Sequence, residues 1–128
     1  MWGLGTDAFE VNQFRPFTTL YWAVTGKMVG GLPVLRTPVT REQALIAHTR
    51  SNAYLFHREN DLGSIQPGRF ADIIVTDKDY LTVPADQIKE IKSLMTIVGG
   101  KIFLDELNRK STRLNSSHMS ESRMPSSA

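Results

Sequence analysis

Apolar positions along the chain follow a helical spacing first and a β spacing later. Phe17, Leu20, Tyr21 and Val24 fall at i, i+3, i+4 and i+7, one face of a helix. Pro16 suits the first helical position because its missing N–H has no partner there, and Gly26 suits the end. Gly26, Gly30, Gly31, Pro33 and Pro38 make 26–38 a loop. Thr40-Arg41-Glu42-Gln43 reads as a capping box, Thr40 covering the first turn while Gln43 reaches back. Ala44, Leu45, Ala47 and His48, then Asn52, Ala53, Leu55 and Phe56, carry that helix to about Arg58–Asp61, with a kink expected near Ser51. Beyond Leu62 the pattern turns to β. Pro67-Gly68 is the central pair of a type II turn. Ala71–Thr76 is rich in β-branched residues and predicts a strand. Pro84–Ile91 predicts a short helical turn. Leu94–Val98 and Lys101–Leu104, joined by Gly99-Gly100, predict a hairpin on a two-residue turn with positive φ. At the front, Leu4-Gly5-Thr6-Asp7-Ala8 predicts a short buried strand over 3–8 that ends at Asp7.

Composition narrows the function classes. The chain has 128 residues, no cysteine, 15 Lys and Arg, and 13 Asp and Glu. Disulfides, cysteine-bound zinc and thiol catalysis are therefore excluded. No apolar run approaches the ~18 residues of a membrane span, and the start has neither the basic region nor the apolar core of a signal peptide. With no export signal visible, cytoplasmic is the default location, although the true N-terminus is expected to lie upstream. The net charge of +2 is misleading. Arg109, Lys110, Arg113 and Arg123 against Glu121 give the last 21 residues +3, and the rest keeps 11 basic and 12 acidic residues. A nearly neutral body gives no electrostatic footprint for nucleic acid.

Residues 108–128 contain seven serines and no periodic apolar pattern, so the composition predicts disorder. From Arg109 the tail also resembles translated read-through of a common short-read sequencing adapter. The string CGGAAGAGCACACGTCTGAACTCCAGTCAC translates to Arg109–His118, and a six-base index with the adapter continuation translates to Met119–Ala128. This stretch is set aside from the fold reading.

Four stretches resemble the C-terminal end of the amidohydrolase superfamily, especially the metal-dependent hydrolases of amidohydrolase family 3. They are Gly5-Thr6-Asp7-Ala8; TREQALIAHTRSNAY over Thr40–Tyr54; LGSIQPGRFADIIV over Leu62–Val75; and LMTIVGGK over Leu94–Lys101. The third is the most specific, because many residues agree at fixed spacing. The resemblance implies an α/β fragment. Residues 1–60 would be the last strand and helices of a (β/α)8 (TIM) barrel. Residues 61–107 would be C-terminal strands of a small β-sandwich, and 108–128 a disordered artefactual tail. It implies a parent enzyme that hydrolyses C–N bonds of small amides or cyclic amides, with a divalent metal, often zinc, that activates a water. Asp7 matches the eighth-strand carboxylate, as metal ligand and as the group that takes a proton from the water and returns it to the leaving group.

Read without the resemblance, Asp7 is an ordinary turn or cap residue. His48 and His57 lie nine residues apart with no His-x-His pattern, and read as solvent or packing histidines. His118 falls in the tail. Tyr21 and Trp22 read as packing residues rather than pocket lining, and Lys89 and Lys92 with Asp86 and Glu90 as a solvated face; for Asp72 it is the resemblance that implies a structural acid bonding nearby backbone. Gly3-Leu4-Gly5 lacks the Gly-Lys-Ser/Thr that a phosphate loop needs. Since an open zinc site takes about three protein ligands, the isolated chain is expected to be inactive and to bind no metal, with no nucleic-acid or membrane partner. The alternative is a small non-enzymatic β-rich interaction module.

Overall fold

The computed structural model describes residues 1–7 and 14–107. Helix α1 spans Pro16–Thr25, with Pro16 at its start and Gly26 at φ 68° returning its N–H to Trp22 O. This is the left-handed stop that glycine takes at little steric cost. Helix α2 spans Arg41–His48 and carries the complete capping box: Gln43 N–H donates to Thr40 Oγ1, and Thr40 N–H to Gln43 Oε1. Helix α3, Arg50–Leu55, follows after Thr49 leaves helical geometry at φ −120° and ψ −82°. The expected kink is thus a break two residues before Ser51. Thr49 Oγ1 donates to Leu45 O at 2.7 Å, a side-chain bond that competes with the helical ladder.

Strands β1 (Ile73–Thr76), β2 (Ser93–Val98) and β3 (Lys101–Asp105) form one antiparallel sheet in the order β1-β2-β3. Gly99 and Gly100 turn the β2–β3 hairpin at φ 55° and 80°, as the sequence predicts. The register slips between Thr96 and Ile97, so that Phe103 is an extra residue in β3. The expected short helical turn over Pro84–Ile91 is present as a 3₁₀ helix at Ala85–Glu90, flanked by Pro84 and Ile91.

The expected strand at the front is corrected. Residues 1–7 carry no strand structure, and the sheet contains none of them. A strand needs a hydrogen-bonded neighbour. What meets this segment is helix: Leu4 N–H donates to Ala47 O at 3.2 Å. Ala8 and the whole 108–128 tail, with its expected disorder, lie outside the described residues.

The core lies between the helices and the 80–91 segment. Leu20, Tyr21, Ala23 and Ala44 close against Tyr80, Val83, Ile88 and Ile91. It draws on both sides of residue 60. Arg41 fastens the two sides: its guanidinium donates to Tyr80 O and Val83 O at 2.5 Å each, and Tyr80 OH donates to Arg41 O at 3.0 Å. The sheet is poorly covered. No residue of its three strands is fully buried. Among the described residues, twenty-two large apolar side chains are exposed, including Phe56, Ile65, Ile102 and Phe103.

Candidate functional site

Asp7 is exposed and sits at φ 50°, a left-handed conformation that Asp tolerates better than most residues. Three residues earlier the chain is held firmly. Leu4 O accepts from His48 Nδ1 and from Asn52 Nδ2, both at 2.9 Å, and Asn52 Nδ2 also donates to His48 O at 3.3 Å. His48 ends α2 and Asn52 lies in α3, so the two helices, on either side of the break at Thr49, present both donors to one carbonyl. His48 must carry its proton on Nδ1 to donate, which places the lone pair of the neutral ring on Nε2. A Cβ on Gly3 would collide with Asn52 Oδ1 and lie 2.8 Å from Leu55 Cδ1, so glycine allows this close approach.

Beside the segment lies an open cleft of about 420 Å³ lined by Trp2, Leu4, Gly5, Trp22, Leu35 and Val39. Trp22, read as a packing residue, is half-buried and both packs on the core and lines this cleft. Its indole Nε1 and the Thr19 hydroxyl are sealed from solvent and without hydrogen-bond partners. Tyr21 is 1% exposed, a core residue as expected.

The other expected site residues stay apart. His57 is exposed at φ 56°. His48 is a packing residue with a definite bond, which sequence reading had no means of placing; the i, i+4 spacing to Asn52 was its visible trace. Asp72 Oδ1 accepts from Gly99 N–H at 2.7 Å and so bonds nearby backbone, as the resemblance implies. Lys89 is not merely solvated: its ammonium lies 4.8 Å from the Tyr21 ring centroid and donates to Val29 O. Among the described residues no group of three or more His, Asp or Glu side chains could hold a metal ion. One exposed carboxylate, with the Nδ1 of the neighbouring helix's histidine committed to a carbonyl, does not fit a divalent cation. Nor is any helix there long and apolar enough to cross a membrane.

Comparison with known proteins gives a consistent picture. A sequence model described as the amidohydrolase family matches residues 1–103. The N-substituted formamide deformylase of Arthrobacter pascens is 28% identical over 90 residues, covering 70% of this chain and 17% of that protein. The chain thus spans under a fifth of the length of this curated relative. No solved structure matches it.

Proposed function

This chain belongs to the amidohydrolase family, and from that premise we propose that it is the C-terminal portion of a longer enzyme that hydrolyses C–N bonds of small amides or cyclic amides. The observation that carries this reading is the match over 1–103 by a chain that covers only 17% of its deformylase relative. The exposed apolar surface supports it. Monomeric domains rarely leave large contiguous apolar patches open, and here both faces of the sheet lack full cover. The front segment, with a strand's composition but no sheet beside it, fits a strand whose neighbours are supplied by upstream sequence.

In the assembled enzyme, Asp7 is the general acid and base. Its carboxylate takes a proton from the attacking water as the new C–O bond forms at the carbonyl carbon. It then returns that proton to the nitrogen as the C–N bond breaks, so the carboxylate ends as it began. Amidohydrolases generally use divalent metals, which make hydroxide available near neutral pH. The described residues supply no ligand set, so imidazole ligands are assigned to the upstream part, and the isolated chain is inactive and holds no ion stoichiometrically. The substrate is a small molecule, and neither nucleic acid nor membrane is a partner.

The test begins at the DNA. An open reading frame upstream of Met1 that encodes His-x-His and further barrel strands is expected. The protein extended by that frame should hydrolyse amides, N-substituted formamides being the first class to assay because the relative's name specifies them. Asp7→Asn in it should lower kcat by about 10²–10⁴-fold. A 128-residue chain that by itself turns over an amide with one tightly held ion would overturn the proposal, as would a ribosome-binding site just before Met1 with no such frame.

A further inference from the structure

Whatever neighbours upstream sequence gives the front segment, the helices of this chain hold it from one side. We propose that His48 and Asn52 are positioning residues that hold the Gly5-Thr6-Asp7 loop, and through it the Asp7 carboxylate, against the helical layer; this rests on the reading of Asp7 as the proton-transferring acid. The Leu4 peptide is gripped on both sides. Its N–H donates to Ala47 O, and its carbonyl takes two side-chain donors, His48 Nδ1 and Asn52 Nδ2. Both hydrogens of the Asn52 amide are in use, one on Leu4 O and one on His48 O. That fixes the amide's orientation and turns Oδ1 toward Gly3, where a Cβ would collide with it. Three features far apart in sequence, a glycine at 3, a histidine at 48 and an asparagine at 52, thus serve one contact.

Leu4 is also half-buried against the core cluster, so the anchor has a rigid base. Asp7 lies three residues further, at most about 10–11 Å of extended chain. Proton transfer depends on where a carboxylate is held, and a misplacement of about 1 Å can cost ~10²-fold in rate. His48 and Asn52 touch no reacting atom in this scheme; they act through the backbone.

Hydrogen exchange reads the anchor, and turnover reads its consequence. In the 128-residue chain, His48→Ala and Asn52→Ala should each speed amide exchange at Leu4, whose N–H donates to Ala47 O, about tenfold, while Tyr21 and Ile88 in the core keep their protection. Gly3→Ala should do the same while leaving both donors in place. Nitrogen chemical shifts of His48 should report a proton on Nδ1. In the enzyme extended by its upstream sequence, the double variant should lower kcat and leave KM unchanged, and His48→Gln, which restores a side-chain N–H, should recover most of the loss. Repeating the exchange measurement in the extended enzyme keeps the question decidable if the core amides of the isolated chain are unprotected. Unchanged exchange at Leu4 in all three variants overturns the anchor. Faster exchange with unchanged kcat, in an enzyme that Asp7→Asn inactivates, overturns the positioning role. An Asp7→Asn enzyme with full kcat overturns the acid reading instead, while exchange still decides whether the anchor exists.

Discussion

Arg41 shows how much of this fold one side chain can carry. Its planar fork satisfies two carbonyls of the segment that closes the core, and Tyr80 returns a bond to Arg41's own backbone. Arg41→Ala would leave the Tyr80 and Val83 carbonyls in a half-buried place without donors. The expected loss is about 2–3 kcal/mol, measured by denaturant unfolding. Arg41→Lys should recover only part of it, since an ammonium lacks the fork. Burial raises the Tyr80 phenol to about 12, with the nearby Arg41 charge partly opposing. A phenol with a raised folded pKa stabilises fully below its unfolded value near 10. That contribution is lost as pH rises from 10 through 12. Alkaline unfolding should therefore steepen in that window, and Tyr80→Phe should remove a phenolate absorbance step near pH 12. Near by, the Leu81 N–H and the Thr82 hydroxyl hold the Asp79 carboxyl below its ordinary value.

At the scale of elements, the motif most specific in sequence is a structural latch. In the stretch Leu62–Val75, a Cβ on Gly63 would meet Ala53 Cβ at 2.8 Å, so glycine lets this loop lie on α3. Arg69 donates to Glu59 O and Leu62 O, closing the loop, and Gly68 at φ 84° completes the predicted turn. Asp72 then ties β1 to the Gly99 N–H of the hairpin. Asp72→Ala should destabilise the hairpin by about 1–2 kcal/mol, visible as faster exchange at Gly99 and along β3. Thr40→Ala should cost about 1 kcal/mol through the lost cap, with exchange rising first in α2. Caps and turns such as these were legible because their chemistry is local: a hydroxyl three residues from an amide, or two glycines between apolar runs. The break at Thr49 was displaced from its expected place because Ser51 and Thr49 offer similar local signals, and packing against the 61–64 loop is not written in either.

For the whole molecule the decisive fact is the imbalance between its core and its surface. Ten hydrophobic residues are buried, four of them alanines, while twenty-two large apolar ones are exposed among the described residues. Leu45 and Ile74 line one groove between helices and sheet, about 620 Å³, together with Phe17, Leu20, Ile91 and Leu104. The isolated chain should bind a dye specific for exposed apolar surface, self-associate with rising concentration, and melt broadly. Adding the upstream sequence should abolish all three. A sharp two-state melt of a soluble monomer would count against the incomplete-barrel reading.

Sequence alone determined the helix caps, the glycine hairpin, the strand at Ile73–Thr76 and the family, because each is set by neighbouring residues or by a fixed spacing. It also pointed to Asp7. What only the tertiary structure decided is what holds the segment before Asp7. His48 and Asn52 lie on either side of the break at Thr49, and their shared partner, the Leu4 carbonyl, lies more than forty residues away. The strand expected over 3–8 fails for the same reason: β structure depends on a neighbour, and no local pattern supplies one.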